Sequence, residues 1–288
     1  MSNLKSLLNY IADTLDTNIV NYQRVSGGDI STNYVIEAIH NRFFLKVNSN
    51  QAAYAMFLAE SDGLQAIADT QAIATPKVYQ CQAYKEGAFL LLEYIESKIP
   101  SSQDFENLGN QLAALHQATT SAFGWHQDNF IGSLPQNNQR HNNWATFYIE
   151  ERLLPQLQLA QSKQLLPATS FPDKEKMYAV CNPLFKSCNP SLLHGDLWSG
   201  NFLIKTDGTP YLIDPAVYYG HDEVDIAMSQ LFGGFNTTFY QSYQKHFPLS
   251  EYSGARIELY QLYYLLVHLN LFGSSYYKSV QSILSNYF

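Results

Sequence analysis

An α+β fold in two lobes is what this sequence predicts: a small N-terminal lobe with a five-stranded antiparallel sheet plus a helix, and a larger, mostly helical C-terminal lobe. Two observations predict it. Five β-rich runs separated by turn signals fall within the first hundred residues, with one helical pattern inserted after the third. After Ser97 the periodicity turns helical and stays so for most of the remaining chain. The division falls at 95/96, giving units 1–95 and 96–288.

Residues 3–15 alternate apolar and polar at helical spacing and predict a first helix. The stretch IVNYQRVSGGDISTNYVIEAIHNRFFLKVN then supplies three β-rich runs broken by SGGD and HNR, an antiparallel meander. Helical spacing returns over 52–68, with Gly63 as a local weakness, and TPKVYQCQAYKEGAFLLLEYIES gives two strands around a KEG turn. Beyond Ser97, SQDFENLGNQLAALHQATT is an amphipathic helix with Ser101 or Ser102 as its N-cap. The polar, Gly- and Asn-rich FGWHQDNFIGSLPQNNQRHNN predicts a loop. Helices follow over roughly 143–162 and 173–188, and the chain is mostly helical again from 222.

Composition excludes several classes. Hydrophobic residues make up 46% of 288 and charged residues 15%, the profile of a well-packed globular protein. A net charge of −8 argues against general nucleic-acid binding, which needs a basic surface. Cys81, Cys181 and Cys188 form neither a CxxC pair nor a disulfide framework and suit a reducing compartment. The start MSNLKSLLNYIADTL lacks the apolar run of a signal peptide. LYQLYYLLVHLNLF is too short to span a bilayer and is expected as a buried helix. A cytoplasmic protein with no membrane partner, a monomer or weak dimer, is expected.

The chemistry concentrates in LLHGDLWSGNFLIKTDGTPYLIDPA, residues 192–216, where His194, Asp196, Asn201 and Asp214 sit at the ends of short apolar segments. Asp196 precedes Asn201 by five residues, and Asp214 follows a hairpin around TDGT. This is the layout of a kinase-type phosphoryl-transfer site. One Asp takes the proton of the substrate hydroxyl, an Asn five residues on holds a metal ion, and a later Asp binds the metal that bridges the phosphates. Hard oxygen ligands of this kind suit Mg²⁺. A lone HGD is common, and an Asp after a strand is often a turn former or cap. The ordered set around one hairpin carries the reading.

The small lobe then has to hold ATP. Lys46, in the apolar run FFLKVN, reaches the α- and β-phosphates from the third strand, and Glu60 on the following helix pairs with it. Gly27 and Gly28 in SGGD let backbone N–H groups approach phosphate, although a plain hairpin turn would use the same residues. LLLEYIES is the hinge, where Glu93, Tyr94 and Ile95 offer backbone groups to the adenine edge.

The chain resembles the fructosamine/ketosamine 3-kinase family, relatives of aminoglycoside and choline kinases. The motifs that carry the resemblance are HGDLWSGN (194–201), YLIDPAVYYGHDEVDIAMSQLFGGF (211–235), LGNQLAALH (108–116), FGWHQDNFIGSLPQNN (123–138) and MFLAESDGLQAI (56–67). The resemblance implies a protein-kinase-like fold and ATP-dependent phosphorylation of the sugar O3 of ketoamines, on small amines or on glycated protein lysines. The product decomposes and frees the amine, so the implied role is deglycation. It also implies that Trp198 stacks on the sugar and that His268 and Asn270 line the acceptor pocket.

Gly195 stands where protein kinases carry the Arg that pairs with a phosphorylated activation loop, and Asp214 runs almost directly into GHDEVDIAM. A constitutively active enzyme is expected. Asp29 stands in the phosphate loop where some relatives carry a redox-active Cys, so that switch is expected to be absent. Two alternatives stay open: a phosphotransferase for another hydroxylated amine, such as an aminoglycoside or choline, and a catalytically silent nucleotide-binding module.

Overall fold

The computed structural model describes residues 2–25 and 31–288. Gly27, Gly28 and Asp29 lie outside the described residues. Helix α1 (Ser2–Thr14) is followed by strands β1 (Ile19–Val25), β2 (Thr32–Ala38) and β3 (Arg42–Asn48), helix α2 (Ala53–Asp69), and strands β4 (Val78–Tyr84) and β5 (Gly87–Glu93). The five strands form one antiparallel sheet in the order β1-β2-β3-β5-β4. The expected meander and the later hairpin are both present, and β5 pairs with β3 to join them.

The period-2 alternation of the strands decides which side chains meet which helix. Phe43, Leu45, Phe89 and Leu91 pack with Leu7, Leu8 and Ile11 of α1. Phe44, Ala88, Leu90 and Leu92 pack with Ala53, Phe57 and Leu64 of α2 on the other face. Lys46 shares the parity of Phe44, so the alternation that builds the core also points this lysine toward α2.

From there the chain is mostly helical, with α3 (Ser102–His116) first. Its N-terminus carries a capping box: Asp104 N–H donates to Ser101 Oγ, and the Asp104 carboxylate accepts from Ser101 N–H. The polar stretch after it, expected from composition to be a loop, is not wholly one. It contains a short hairpin, β6 (Asn129–Ile131) and β7 (Leu134–Gln136), turning at Gly132. Three-residue strands whose inward residues are Asn129, Ile131 and Gln136 leave no apolar alternation to detect.

Helix α4 (Trp144–Phe147) continues through a π segment (148–153) into α5 (Leu154–Ser162). The wide turn lies directly before Pro155, which has no amide hydrogen to return to the helix. Helix α6 (Lys174–Leu184) and strand β8 (Ser191–Leu193) lead to β9 (Phe202–Ile204) and β10 (Pro210–Leu212), the hairpin around TDGT. Strand β11 (Tyr218–Gly220) returns antiparallel to β8. Helices α7 (Glu223–Leu231), α8 (Thr237–Gln244), α9 (Ser253–Phe272) and α10 (Tyr277–Tyr287) complete the chain. The apolar stretch expected as a buried helix is α9. Among the described residues no helix is long and apolar enough to cross a membrane.

Candidate active site

A cavity of about 710 Å³ opens between the sheet with α2 on one side and the helices on the other. Lys46, Glu60, Asp196, Trp198, Asn201, Asp214 and His268 all line it. The residues singled out from the sequence as chemical groups therefore converge, although Lys46 and Asp214 are 168 positions apart.

Lys46 Nζ donates to Glu60 Oε1 at 2.7 Å and to Asp214 Oδ1. The lysine is 6% exposed, so its charge is held by two carboxylates in a place where an unpaired ammonium would be costly. Asp214 has φ +54, a left-handed backbone that Asp tolerates better than most residues. Non-glycine residues in this region cluster at functional sites.

Asp196 lies on the turn after β8. Its carboxylate accepts from Asn201 Nδ2 at 3.2 Å, and its backbone carbonyl accepts from the same amide at 2.9 Å. Burial pushes the Asp196 carboxyl up to about 7; the Asn201 hydrogen bond opposes this and the nearby Asp225 carboxylate adds to it. Such a group can hold or release a proton near neutral pH. With the Asn201 NH₂ committed to Asp196, its carbonyl oxygen is the atom a hard cation would take. The Ile213 N–H donates to the Asn201 carbonyl of the main chain at 3.0 Å, which brings Asn201 beside the residue preceding Asp214. Two adjacent oxygen donors fit Mg²⁺, which takes one or two protein oxygens and completes its shell with phosphate and water. Among the described residues no cluster of three or more His, Cys, Asp or Glu offers an all-protein metal cage.

The turn that presents Asp196 hangs on a residue not singled out from the sequence. Asp225 on α7 is fully buried; it accepts from His194 N–H at 2.7 Å and Gly195 N–H at 2.9 Å, and its Oδ2 lies 3.1 Å from His116 Nε2. His116 Nδ1 in turn meets Tyr243 Oη at 2.7 Å. Gly195 has φ +82, and a Cβ there would lie 2.1 Å from the Ala216 carbonyl. The arginine of regulated kinases has no room here. His194 Nε2–H donates to Ile213 O at 2.8 Å while its Nδ1 accepts from Asp196 N–H at 3.2 Å, the pattern of a neutral ring, and burial lowers its pKa. The available signal was a carboxylate set inside the apolar run Val224, Ile226, Ala227 and Met228, beyond Asp222 and Glu223 at the start of the helix.

On the acceptor side Trp198 is 39% exposed over the cavity and not in the core. Its ring lies so close to Gly200 that a Cβ there would sit 2.4 Å from it, which fixes the indole flat against the turn. His268 lines the cavity among Phe232, Phe272 and Tyr276, with ring centroids 4.6, 5.5 and 5.1 Å away. The expectation for Asn270 is corrected. It is buried, and its side-chain amide donates to Gln156 O and Oε1 at 2.9 and 2.8 Å, away from the cavity. Positions i and i+2 face different sides of a helix. With His268 toward the cavity, Leu271 and Phe272 follow it there and Asn270 does not.

Part of the expected hinge is engaged: Glu93 N–H donates to Lys77 O at 2.8 Å and is not available to an adenine edge. Tyr94 turns its ring under the Arg42 guanidinium, 4.0 Å from the centroid, and Ile95 is buried; none of the three lines the cavity.

With this geometry in view, the comparisons with known proteins agree in one direction. The "Probable ketoamine kinase" of Enterococcus faecium is 42% identical over 267 residues, 91% of this chain and 94% of that protein. The "Protein-ribulosamine 3-kinase, chloroplastic" of Oryza sativa subsp. indica is 37% identical over 276 residues, 94% of this chain and 80% of that protein. The solved structure of a candidate fructosamine-3-kinase from Haemophilus somnus superposes with TM-score 0.88 at 30% identity, covering 99% of this chain and 97% of the other. The choline kinase LicA of Streptococcus pneumoniae, 16% identical with TM-score 0.63 over the full length of both, shares the fold. The sequence profile of the fructosamine kinase family matches residues 4–288, and the chain belongs to that family.

Proposed function

We propose that this protein is an ATP-dependent ketosamine 3-kinase. It phosphorylates the O3 hydroxyl of fructosamine, ribulosamine or erythrulosamine adducts of small amines or protein lysines, and so starts their deglycation. The observation that carries the proposal is the convergence of Lys46, Glu60, Asp196, Asn201 and Asp214 on one cavity in a member of the fructosamine kinase family. The names of its relatives, ketoamine and ribulosamine kinases, support the acceptor class.

In this reading residues 1–95 hold the nucleotide, and 96–288 carry the catalytic turn and the acceptor. Lys46, steadied by Glu60, grips the α- and β-phosphates. Asn201 and Asp214 would hold Mg²⁺, which would supply positive charge to neutralise the phosphates. The Asp196 carboxylate accepts the O3 hydrogen bond. It takes that proton as the O3–phosphorus bond forms and the bond to the β,γ-bridging oxygen breaks. Trp198 covers the apolar face of the sugar, and His268 with its aromatic neighbours closes the wall beyond it. We place the reaction in the cytoplasm, for which three cysteines without a disulfide are the support.

A kinase assay tests the proposal directly, using fructosamine, ribulosamine and erythrulosamine forms of one lysine derivative beside choline and an aminoglycoside. At least one ketoamine is expected to exceed both controls in kcat/KM by about tenfold or more, equivalent to ~1.4 kcal/mol of transition-state discrimination. A faster reaction on choline or the aminoglycoside would reassign the acceptor. ATP binding with no transfer to any acceptor would leave a nucleotide-binding module.

The metal assignment has its own test. Asp214→Ala deletes a carboxylate that would hold Mg²⁺, so calorimetric ATP binding should become nearly insensitive to Mg²⁺. A variant with the wild-type Mg²⁺ effect contradicts the role given to Asp214.

A further inference from the structure

Helix α2 carries, two positions after Glu60, a second carboxylate whose partners lie in the other half of the molecule. Because i and i+2 face different sides of a helix, Glu60 reaches Lys46 while Asp62 reaches residues 125–127. The Trp125 indole N–H donates to Asp62 Oδ2 at 2.9 Å and the Gln127 side-chain amide at 3.2 Å, with His126 Nε2 3.5 Å away. The next residue of α2, Gly63, is buried against the chain that follows Asp214. A Cβ there would stand 3.0 Å from Pro215 Cγ and 3.3 Å from Val217.

The segment that receives Asp62 is itself fixed to that same chain. Gly124 and Tyr219 exchange two backbone hydrogen bonds at 2.8 and 2.9 Å, and Asn129 Nδ2 donates to Val217 O at 2.7 Å. The Trp125 and Tyr219 rings lie 5.6 Å apart. Helix α2, the segment from Gly124 to Asn129 and the residues after Asp214 thus close a ring around the Lys46–Glu60–Asp214 group. No phosphorylated loop is needed to bring these parts together.

We propose that Asp62 is a positioning residue for phosphoryl transfer. Through Trp125 and Gln127 it fixes α2 to the helical side, and Glu60 thereby holds Lys46 in the place where it engages phosphate. This rests on the reading above that Lys46 and Glu60 serve the nucleotide. Hydrogen bonds to a carboxylate are stronger than neutral ones, although the side chain is 34% exposed and solvent weakens them.

The test compares Asp62→Ala, Asp62→Asn, Trp125→Phe and Glu60→Gln in the full chain, with ATP and the best ketoamine varied separately. Asp62→Ala is expected to raise KM for ATP about tenfold while acceptor KM stays within about twofold. Asp62→Asn, whose amide oxygen still accepts from the indole, should restore most of the loss. Trp125→Phe keeps an aromatic ring against Tyr219 while removing the N–H with part of the indole, so it should reproduce the Asp62→Ala pattern more weakly. In a Glu60→Gln background Asp62→Ala should add less than about twofold, since both act through the same lysine. An unchanged KM for ATP, an equal rise in both KM values, or multiplicative effects of the two substitutions would overturn the positioning role. If Glu60→Gln alone leaves ATP use unchanged, the underlying reading of Lys46 and Glu60 fails, and the proposal falls with it.

Discussion

Asp196→Asn is expected to lower turnover by about 10²- to 10⁴-fold, the range of general-base assistance, while ATP affinity stays nearly intact. It is also expected to make the protein more stable above neutral pH. Both follow from one placement: the carboxylate stands in the cavity, bonded to Asn201, with a pKa raised by burial to about 7. In the unfolded chain an Asp titrates near 3.9, so the folded protein binds the extra proton more tightly throughout the interval between. Stability from this group is therefore fully present below about pH 4 and is lost as pH rises through about 7.

Asparagine removes the ionisation. The variant's advantage should be complete at pH 8 and should vanish near pH 4. The shift from 3.8 to about 7 sets a ceiling of ~4 kcal/mol. Partial exposure reduces it to ~1–2 kcal/mol, or about 2–4 °C in Tm. The wild-type kcat/KM should fall about tenfold per pH unit below pH ~7, as this base is protonated. A variant keeping more than about a tenth of wild-type turnover would remove Asp196 from the chemistry. One that is inactive but destabilised at pH 8 would show that the carboxylate is held without strain.

What the sequence made legible has a common physical character. Strand and turn signals are local, and they placed Lys46 in the third strand; the structure then puts it on the face of Phe44, which packs with α2. The N-cap at Ser101 is also local, since both partners lie within four residues. Asp196, Asn201 and Asp214 could be grouped because a single hairpin brings them together. What was missed depends on distant partners or on facing. Asp225 meets the catalytic turn 30 and 31 positions away, and Asp62 meets Trp125 at a separation of 63. Asn270 was grouped with His268 through the family resemblance, but a two-residue offset turns them to different sides of the helix. The hairpin at 129–136 is built on Asn129, Gln136 and Asn138, which bond one another and the carbonyls of residues 216 and 217. Polarity there means an internal network, where composition alone suggested a solvent-exposed loop.

Asp225→Ala should be the most damaging single substitution outside the cavity. One carboxylate satisfies two buried backbone N–H groups, those of His194 and Gly195, and stands against the His116 ring. Alanine leaves all three without it. A buried donor left unsatisfied costs about 1–3 kcal/mol, so a total of ~3–5 kcal/mol is expected. Against a typical stability of about 5–15 kcal/mol, this lowers Tm by roughly 10 °C without abolishing folding. The larger effect is on the chemistry. Gly195 is pressed against Ala216, and its carbonyl accepts from Tyr264 Oη at 2.8 Å, so the turn carrying Asp196 has little freedom except through the two amides that Asp225 holds. Releasing them lets the Asp196 carboxylate move relative to the acceptor, where misplacement by about 1 Å costs on the order of 10²-fold in rate.

Asp225→Asn separates the two contributions. It keeps one acceptor oxygen but turns an NH₂ toward a second donor, so one amide is bonded and the other is opposed. Turnover measured at 15 °C, where each variant is folded, should fall by about 10²-fold for Ala and by less for Asn, in the same order as their Tm losses. If Asp225→Ala is folded at that temperature and turns over within about threefold of wild type, the turn is held by its own packing and the buried carboxylate serves stability alone.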